Sequence, residues 1–192
     1  GKVVVVGDIT KKEITKKLSF LSKFNNQEVA SVDARSLSMP KNTVTNNTVY
    51  FIDVPGAAQT EFRIARVTGR KYDFNGDHYK STILNYPLGG AFNSRLNLYL
   101  REEKGWTYGA RSNFSASKYT GSFMFSGGIK AEPTDSALVD VLSIINEYRN
   151  NGIKPDELSF TKSALTNSEA LKYETGFQKA GFLSTMQTYN LP

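Results

Sequence analysis

Few side chains in this sequence can do chemistry, and their types narrow the field. The chain has one histidine, His78, and no cysteine. Ordinary metal centres need several converging His, Cys or carboxylate ligands, so the residue types argue against a zinc site built from this chain alone. His78 would also have to serve any Ser–His–carboxylate relay, and no G-x-S-x-G turn exists to present a serine. Beside Asp77 at a predicted helix start, it reads as a solvated surface residue. "PLGGAFNSR" (87–95) places two glycines before a helix, but not in the G-x-G-x-x-G or G-x-x-x-x-G-K-[ST] spacing that cradles a phosphate. Gly89-Gly90 therefore reads as a tight joint between helices.

What remains is a pair inside "LNLYLREEKGWTYGA" (96–110), Arg101 and Tyr108. Leu96, Tyr99 and Leu100 recur at a helix period, Trp106, Thr107 and Tyr108 look like the start of a strand, and Gly105 stands at the joint. On a helix of about 3.6 residues per turn Arg101 falls well away from Leu96 and so off the buried face. A reversal at Gly105 can return the Tyr108 phenol towards the guanidinium. Both groups are hydrogen-bond donors and neither is an acid or base at neutral pH unaided, which suits binding a carbonyl or an oxyanion. The plainer alternative is a surface arginine loosely paired with Glu102 or Glu103 and a tyrosine at the edge of the core.

The elements that must position this pair follow from the local patterns. "KVVVVGDITKKEITKKLSFLSKF" predicts a strand over Val3–Val6, a turn at Gly7-Asp8, and a helix opened by a Thr10-x-x-Glu13 capping box, with Ile14, Leu18 and Leu21 as its apolar stripe. Residues 25–47 read as an irregular connection with a short strand near Val29–Val32. "TVYFIDVP" (48–55) and "QTEFRIARVTG" (59–69) predict two adjacent strands. A helix follows from Gly76 to Pro87, and another starts with Ser94 as its N-cap. "YGARSNFSAS" and "GSFMFSGGIKA" predict a hairpin around Lys118–Gly121. Pro133 then opens a helix carrying Leu138, Val141, Leu142, Ile145 and Tyr148, closed by Asn151-Gly152, and helical sequence runs from Pro155 to about Tyr189. This order gives an α+β fold, one mostly antiparallel mixed sheet with helices packed on one face, in a single domain over 1–192.

The totals agree with a packed domain. Of 192 residues 39% are hydrophobic and 12% aromatic, and no low-complexity tract interrupts them. The longest apolar run is the valines at 3–6, far short of the ~20 residues a membrane helix needs. The net charge of +6 is concentrated on Lys11, Lys12, Lys16, Lys17 and Lys23, which occupy the wet faces of the first helix. Without a recognition motif beside them they read as a solvated surface, and nucleic acid is not an expected partner. The chain opens at Gly1 without an initiator Met or a leader, which reads as an excised or processed piece.

"LGGAFNSRLNLYLREEKGWTYGA", together with "VVVVGDIT", "VYFIDVPGAAQTEFRIARV" and "GIKPDEL" in the same order, resembles the second, non-metal-binding half of the pitrilysin/insulinase-type (inverzincin) zinc metallopeptidases, the group that includes the mitochondrial processing peptidases. The resemblance covers nearly the whole chain. It implies a metallopeptidase-half fold and a partner half, on the same polypeptide or a separate subunit, that carries H-x-x-E-H and the zinc. This chain contains no H-x-x-E-H, so no cofactor is expected in it. The family's non-metal half supplies R-x-x-x-x-x-x-Y, and Arg101 and Tyr108 fall on those positions. By that likeness Arg101 holds a carbonyl of the peptide substrate and Tyr108 donates to the oxyanion of the tetrahedral intermediate. The chain alone would then be inactive. The alternative is a structural or binding subunit that has kept the fold without proteolysis. Two departures concern local geometry: Pro87 stands where an uninterrupted helix end is expected, and Lys154 occupies an N-cap position better suited to Ser or Thr. Family habit and the lack of cysteine favour a bacterial periplasm or envelope over the cytoplasm.

Overall fold

The computed structural model describes residues 2–24 and 47–192. Its element order is α1 (Lys11–Lys17), β1 (Gln59–Val67), α2 (Asp77–Asn85), α3 (Arg95–Asn97), β2 (Thr107–Ala116), β3 (Gly121–Lys130), α4 (Thr134–Asn151), α5 (Pro155–Leu171) and α6 (Gly176–Tyr189). A 3₁₀ turn, Ser19–Phe24, follows α1, and π-helical turns, Tyr86–Gly90 and Leu98–Glu103, follow α2 and α3. The fold is α+β, as the pattern predicts.

The sheet has the order β1-β3-β2 and is antiparallel throughout the described residues. β2 and β3 form the expected hairpin, with Ala116 opposite Gly121. Gly121 lies so close to the carbonyl oxygens of Arg70 and Ser115 that a Cβ there would collide with backbone. β3 sits in the middle because it carries the apolar residues that meet the helices. Phe125 and Ile129 are fully buried, and Phe125 meets Phe62 of β1 edge-to-face at 5.9 Å. Leu88, Leu96, Leu100, Ala110, Ala137, Val141 and Tyr148 complete the core. The α4 stripe is buried at Ala137, Val141 and Tyr148, whereas Leu142 faces solvent. Gly152 ends α4 at φ +71°, a conformation that disfavours any side chain.

The capping box of α1 forms as the sequence predicts: Thr10 Oγ1 accepts from Glu13 N at 3.3 Å, and Glu13 Oε2 accepts from Thr10 N at 2.9 Å. Two strand expectations fail. Residues 2–6 and 48–54 lie in no sheet, and Val49, Tyr50, Phe51, Ile52 and Val54 are exposed. Val3, Val4 and Val5 instead line a hollow with Leu183, Met186 and Leu191 at the end of α6. β-branched content raises strand propensity, but a strand exists only where a neighbour accepts its ladder, and propensity does not supply the neighbour. The strand expected near Val29–Val32 lies outside the described residues.

Candidate functional site

Arg101 and Tyr108 stand at opposite ends of one continuous device: α3, a π-helical turn, the Gly105 turn and the start of β2. α3 is short. Its helix passes at Leu98 into a π register, closed by Lys104 N donating to Tyr99 O at 3.0 Å. Leu96 and Leu100 remain fully buried through the change of register. Tyr99 is half-buried, and its hydroxyl donates to Asp140 Oδ2 at 2.9 Å, tying the π turn to α4. Ser94 has N-cap backbone geometry, but its side chain caps nothing and its hydroxyl is buried without a partner.

The Arg101 guanidinium lies over the Phe92 ring, 4.5 Å from its centroid, with Glu102 Oε1 at 3.4 Å from Nε. The loose acidic neighbour expected of a surface arginine is therefore present, together with an aromatic seat that sequence reasoning did not find. Gly105 reverses the chain at φ +62°, and Trp106 N then donates to Leu100 O at 2.9 Å.

Tyr108 lies in a β-bulge. Thr107 pairs with Ile129 and Ala110 with Gly127, so β2 has one residue more than β3 over this interval. Thr107 Oγ1 stitches the bulge, donating to Gly128 O at 2.8 Å and accepting from Gly109 N at 3.0 Å. The bulge throws the Tyr108 side chain out of the sheet, where it is 90% exposed, and among the described residues its hydroxyl has no hydrogen-bond partner. Tyr108 is thus no core-edge residue. No hydrogen bond joins it to Arg101.

Two asparagines fasten the outer edge of β2. Asn97 Oδ1 accepts from Ala110 N at 2.9 Å, while its Nδ2 donates to Phe92 O at 2.6 Å. Asn85 Nδ2 donates to Ser112 O at 2.6 Å, and its Oδ1 accepts from Ser112 Oγ at 2.6 Å. Their carboxamides do what a neighbouring strand would do, satisfying edge groups that otherwise invite pairing. Between them runs the π turn Tyr86–Gly90, where Pro87 sits in the first positions and so removes no needed donor. Pro87 therefore shapes a joint, and Gly89-Gly90 forms it as the sequence predicts.

Behind the site, Arg95 makes a bidentate pair with Glu157 of α5, with Nε to Oε1 at 2.6 Å and Nη2 to Oε2 at 2.8 Å. Arg95 also covers the Tyr148 ring at 4.7 Å, and Tyr148 donates to Leu84 O at 2.7 Å. The hydrogen bonds from Arg95 hold the Glu157 carboxyl below its usual range against the cost of burial. Burial pushes the Tyr148 phenol up to about 12. Glu157 Oε2 also accepts from Lys154 N at 2.8 Å, so α5 is capped from the glutamate's side although Lys154 offers no acceptor.

The sequence of residues 2–165 matches the model of the peptidase M16 inactive domain. The chain belongs to that family. Among similar proteins, the non-peptidase homolog YmxG of Helicobacter pylori is 33% identical over 105 residues, 54% of this chain and 24% of that protein. The uncharacterized zinc protease YmxG of Bacillus subtilis is 29% identical over 97 residues, 50% of this chain and 24% of that protein. A crystal structure of a peptidase M16 inactive domain from Pseudomonas fluorescens aligns with TM-score 0.62 and 31% identity over 71% of this chain and 32% of that one. A protease from Helicobacter pylori shares the fold at TM-score 0.66 and 15% identity, over 96% of this chain and 44% of that one. The chain thus spans about a quarter of the curated relatives it matches.

Among the described residues no group of three or more His, Cys, Asp or Glu side chains is placed to hold a metal ion. His78 donates its backbone N–H to Asp73 Oδ1 at 3.1 Å, and its ring tilts against Tyr72 at 5.4 Å. No helix among the described residues is long and apolar enough to cross a membrane. Of the side chains that shape this candidate site, Phe92, Asn97 and Thr107 escaped sequence reasoning. Asn97 had a signal: a poor helix former between the buried Leu96 and Leu100 needs a reason to be there.

Proposed function

We propose that this M16 inactive domain is the substrate-contacting half of a zinc metalloendopeptidase, a single domain over 1–192 that corresponds to the C-terminal half and is inactive alone. Its partner is an H-x-x-E-H half, on the same polypeptide or another, which carries the zinc. The observation that carries this reading is Tyr108: a phenol thrown outward by a stitched bulge, almost fully exposed, with an unspent donor. An exposed tyrosine held this firmly, with no partner among the described residues, is placed to meet something outside the chain.

In this reading the bound peptide lies against the α3–β2 turn. Arg101 holds a backbone carbonyl, with the Phe92 ring keeping its guanidinium extended. Tyr108 donates to the carbonyl oxygen that gains charge as the scissile bond is attacked. Neither residue moves a proton in the hydrolytic step. The contribution is a preorganised donor, stronger in the transition state than in the ground state.

A second reading is a binding subunit of the same fold without proteolysis. It is favoured by Arg101, which already has partners in Phe92 and Glu102, and by the relative described as a non-peptidase homolog. The test uses the full protein with its H-x-x-E-H half and an extended peptide. The first reading expects hydrolysis that Tyr108→Phe lowers in kcat by about 10²–10³-fold with the fold intact. Full turnover by Tyr108→Phe sinks the role of Tyr108. Binding without hydrolysis by the wild type supports the second reading.

A further inference from the structure

We infer that the Asn97 carboxamide is the clamp that sets the distance between the two peptide-binding arms, so that Asn97 is a positioning residue for a substrate read through its backbone carbonyls. This rests on the reading given above for Arg101 and Tyr108. One arm ends in Phe92, whose ring seats the Arg101 guanidinium at 4.5 Å. The other ends in Tyr108, two residues before Ala110, where regular pairing with β3 resumes. Asn97 is 3% exposed and touches both arms through backbone: Nδ2 donates to Phe92 O at 2.6 Å, and Oδ1 accepts from Ala110 N at 2.9 Å.

The partners fix the amide's orientation, because a carbonyl can only accept and an N–H can only donate. Only a side chain with a donor and an acceptor on one rigid plane makes both bonds. Leucine offers neither, and an ionised aspartate offers only acceptors, one of which would face Phe92 O. The connection between the arms otherwise runs through a π turn and a glycine at positive φ, both poor at holding a distance unaided.

The clamp also says how the peptide is read. Asn97 uses the outward N–H of Ala110, and Asn85 uses the carbonyl of Ser112. A peptide therefore cannot extend the sheet along this part of β2. Recognition falls to the Arg101 and Tyr108 side chains, which address backbone carbonyls whatever the substrate's own side chains are.

The experiment compares the full protein and its H-x-x-E-H half in wild-type, Asn97→Leu and Asn97→Asp forms. It reads kcat, the Kd for an extended non-cleavable peptide, and amide exchange at Ala110. Asn97→Leu is expected to lower kcat and weaken peptide binding by about 10- to 100-fold, the cost of misplacing a donor by about an ångström. Ala110 should exchange faster in that variant. Asn97→Asp should be impaired at pH 8 and recover towards wild type as the pH falls to 5, because the protonated acid reproduces the donor–acceptor pair; each value is taken as a ratio to wild type at the same pH. A purely structural role would lower the melting temperature and the folded fraction while leaving the Kd of the folded protein unchanged. Silent Asn97 variants beside an impaired Tyr108→Phe overturn the clamp alone. An impaired Asn97→Asp with no recovery at low pH also overturns it. A silent Tyr108→Phe, or a wild-type assembly that neither binds nor cleaves, overturns the underlying reading and the clamp's role in substrate binding with it.

Discussion

Arg95 shows how much of this molecule turns on single polar contacts. It opens α3, where a positive charge meets the positive end of the helix, and Glu157 of α5 neutralises it through two short parallel bonds. Both side chains are mostly buried, at 17% and 18% exposure. Removing the carboxylate would leave a desolvated guanidinium, so Glu157→Gln should lower the unfolding free energy by about 1–3 kcal/mol at pH 7. The pH dependence has a definite sign. The folded protein holds the Glu157 proton more weakly than the unfolded chain does, chiefly because of the Arg95 bonds. The pair's stabilisation is therefore complete above the unfolded carboxyl's pKa of about 4.3 and disappears as pH falls through the lower folded value. Urea denaturation from pH 7 downwards should show wild type and Glu157→Gln converging in acid. A constant difference at every pH would mean that the carboxylate charge is not what stabilises α3.

At the scale of elements, the joint between α2 and α3 carries a sharp test. A Cβ on Gly89 would run into Ser112 Oγ and lie 2.7 Å from Ser112 N, which is strand backbone and cannot step aside. Gly90 is more tolerant, its nearest atoms being Asn85 Nδ2 and O at 3.2 Å. Gly89→Ala should cost about 1–3 kcal/mol or more by overpacking and lower the melting temperature well beyond Gly90→Ala. Equal melting temperatures would show that α2 floats on β2. This joint also marks what the sequence made legible. Gly89-Gly90 announced a tight joint, Thr10-x-x-Glu13 a helix start, and the runs "YGARSNFSAS" and "GSFMFSGGIKA" a hairpin, because each of these signals is local. The π turns did not show, since Leu96, Tyr99 and Leu100 satisfy an ordinary helix equally well. The arginine–tyrosine pair was legible as residue types, but the bulge that aims Tyr108 depends on β3, far along the chain, and the Asn97 clamp on contacts with two separate elements.

At the scale of the whole molecule, the described fold keeps its apolar weight on one side of a three-stranded sheet and leaves a second apolar segment outside it. Over 49–54, Tyr50 is 88% and Ile52 85% exposed, and the run "TVYFIDV" has high β-propensity with a single charge, Asp53. Such a segment is the sequence type that pairs between chains when nothing covers it. The chain on its own should therefore self-associate with rising concentration, and Phe51→Ser with Ile52→Lys should suppress light scattering. Because these side chains contribute little to the core, the double variant should change stability by no more than about 0.5 kcal/mol per site. Scattering that is unchanged in the double variant would place the association elsewhere on the surface. A large fall in melting temperature would show instead that residues 49–54 pack into the fold in solution, as the strand pattern of their sequence predicts.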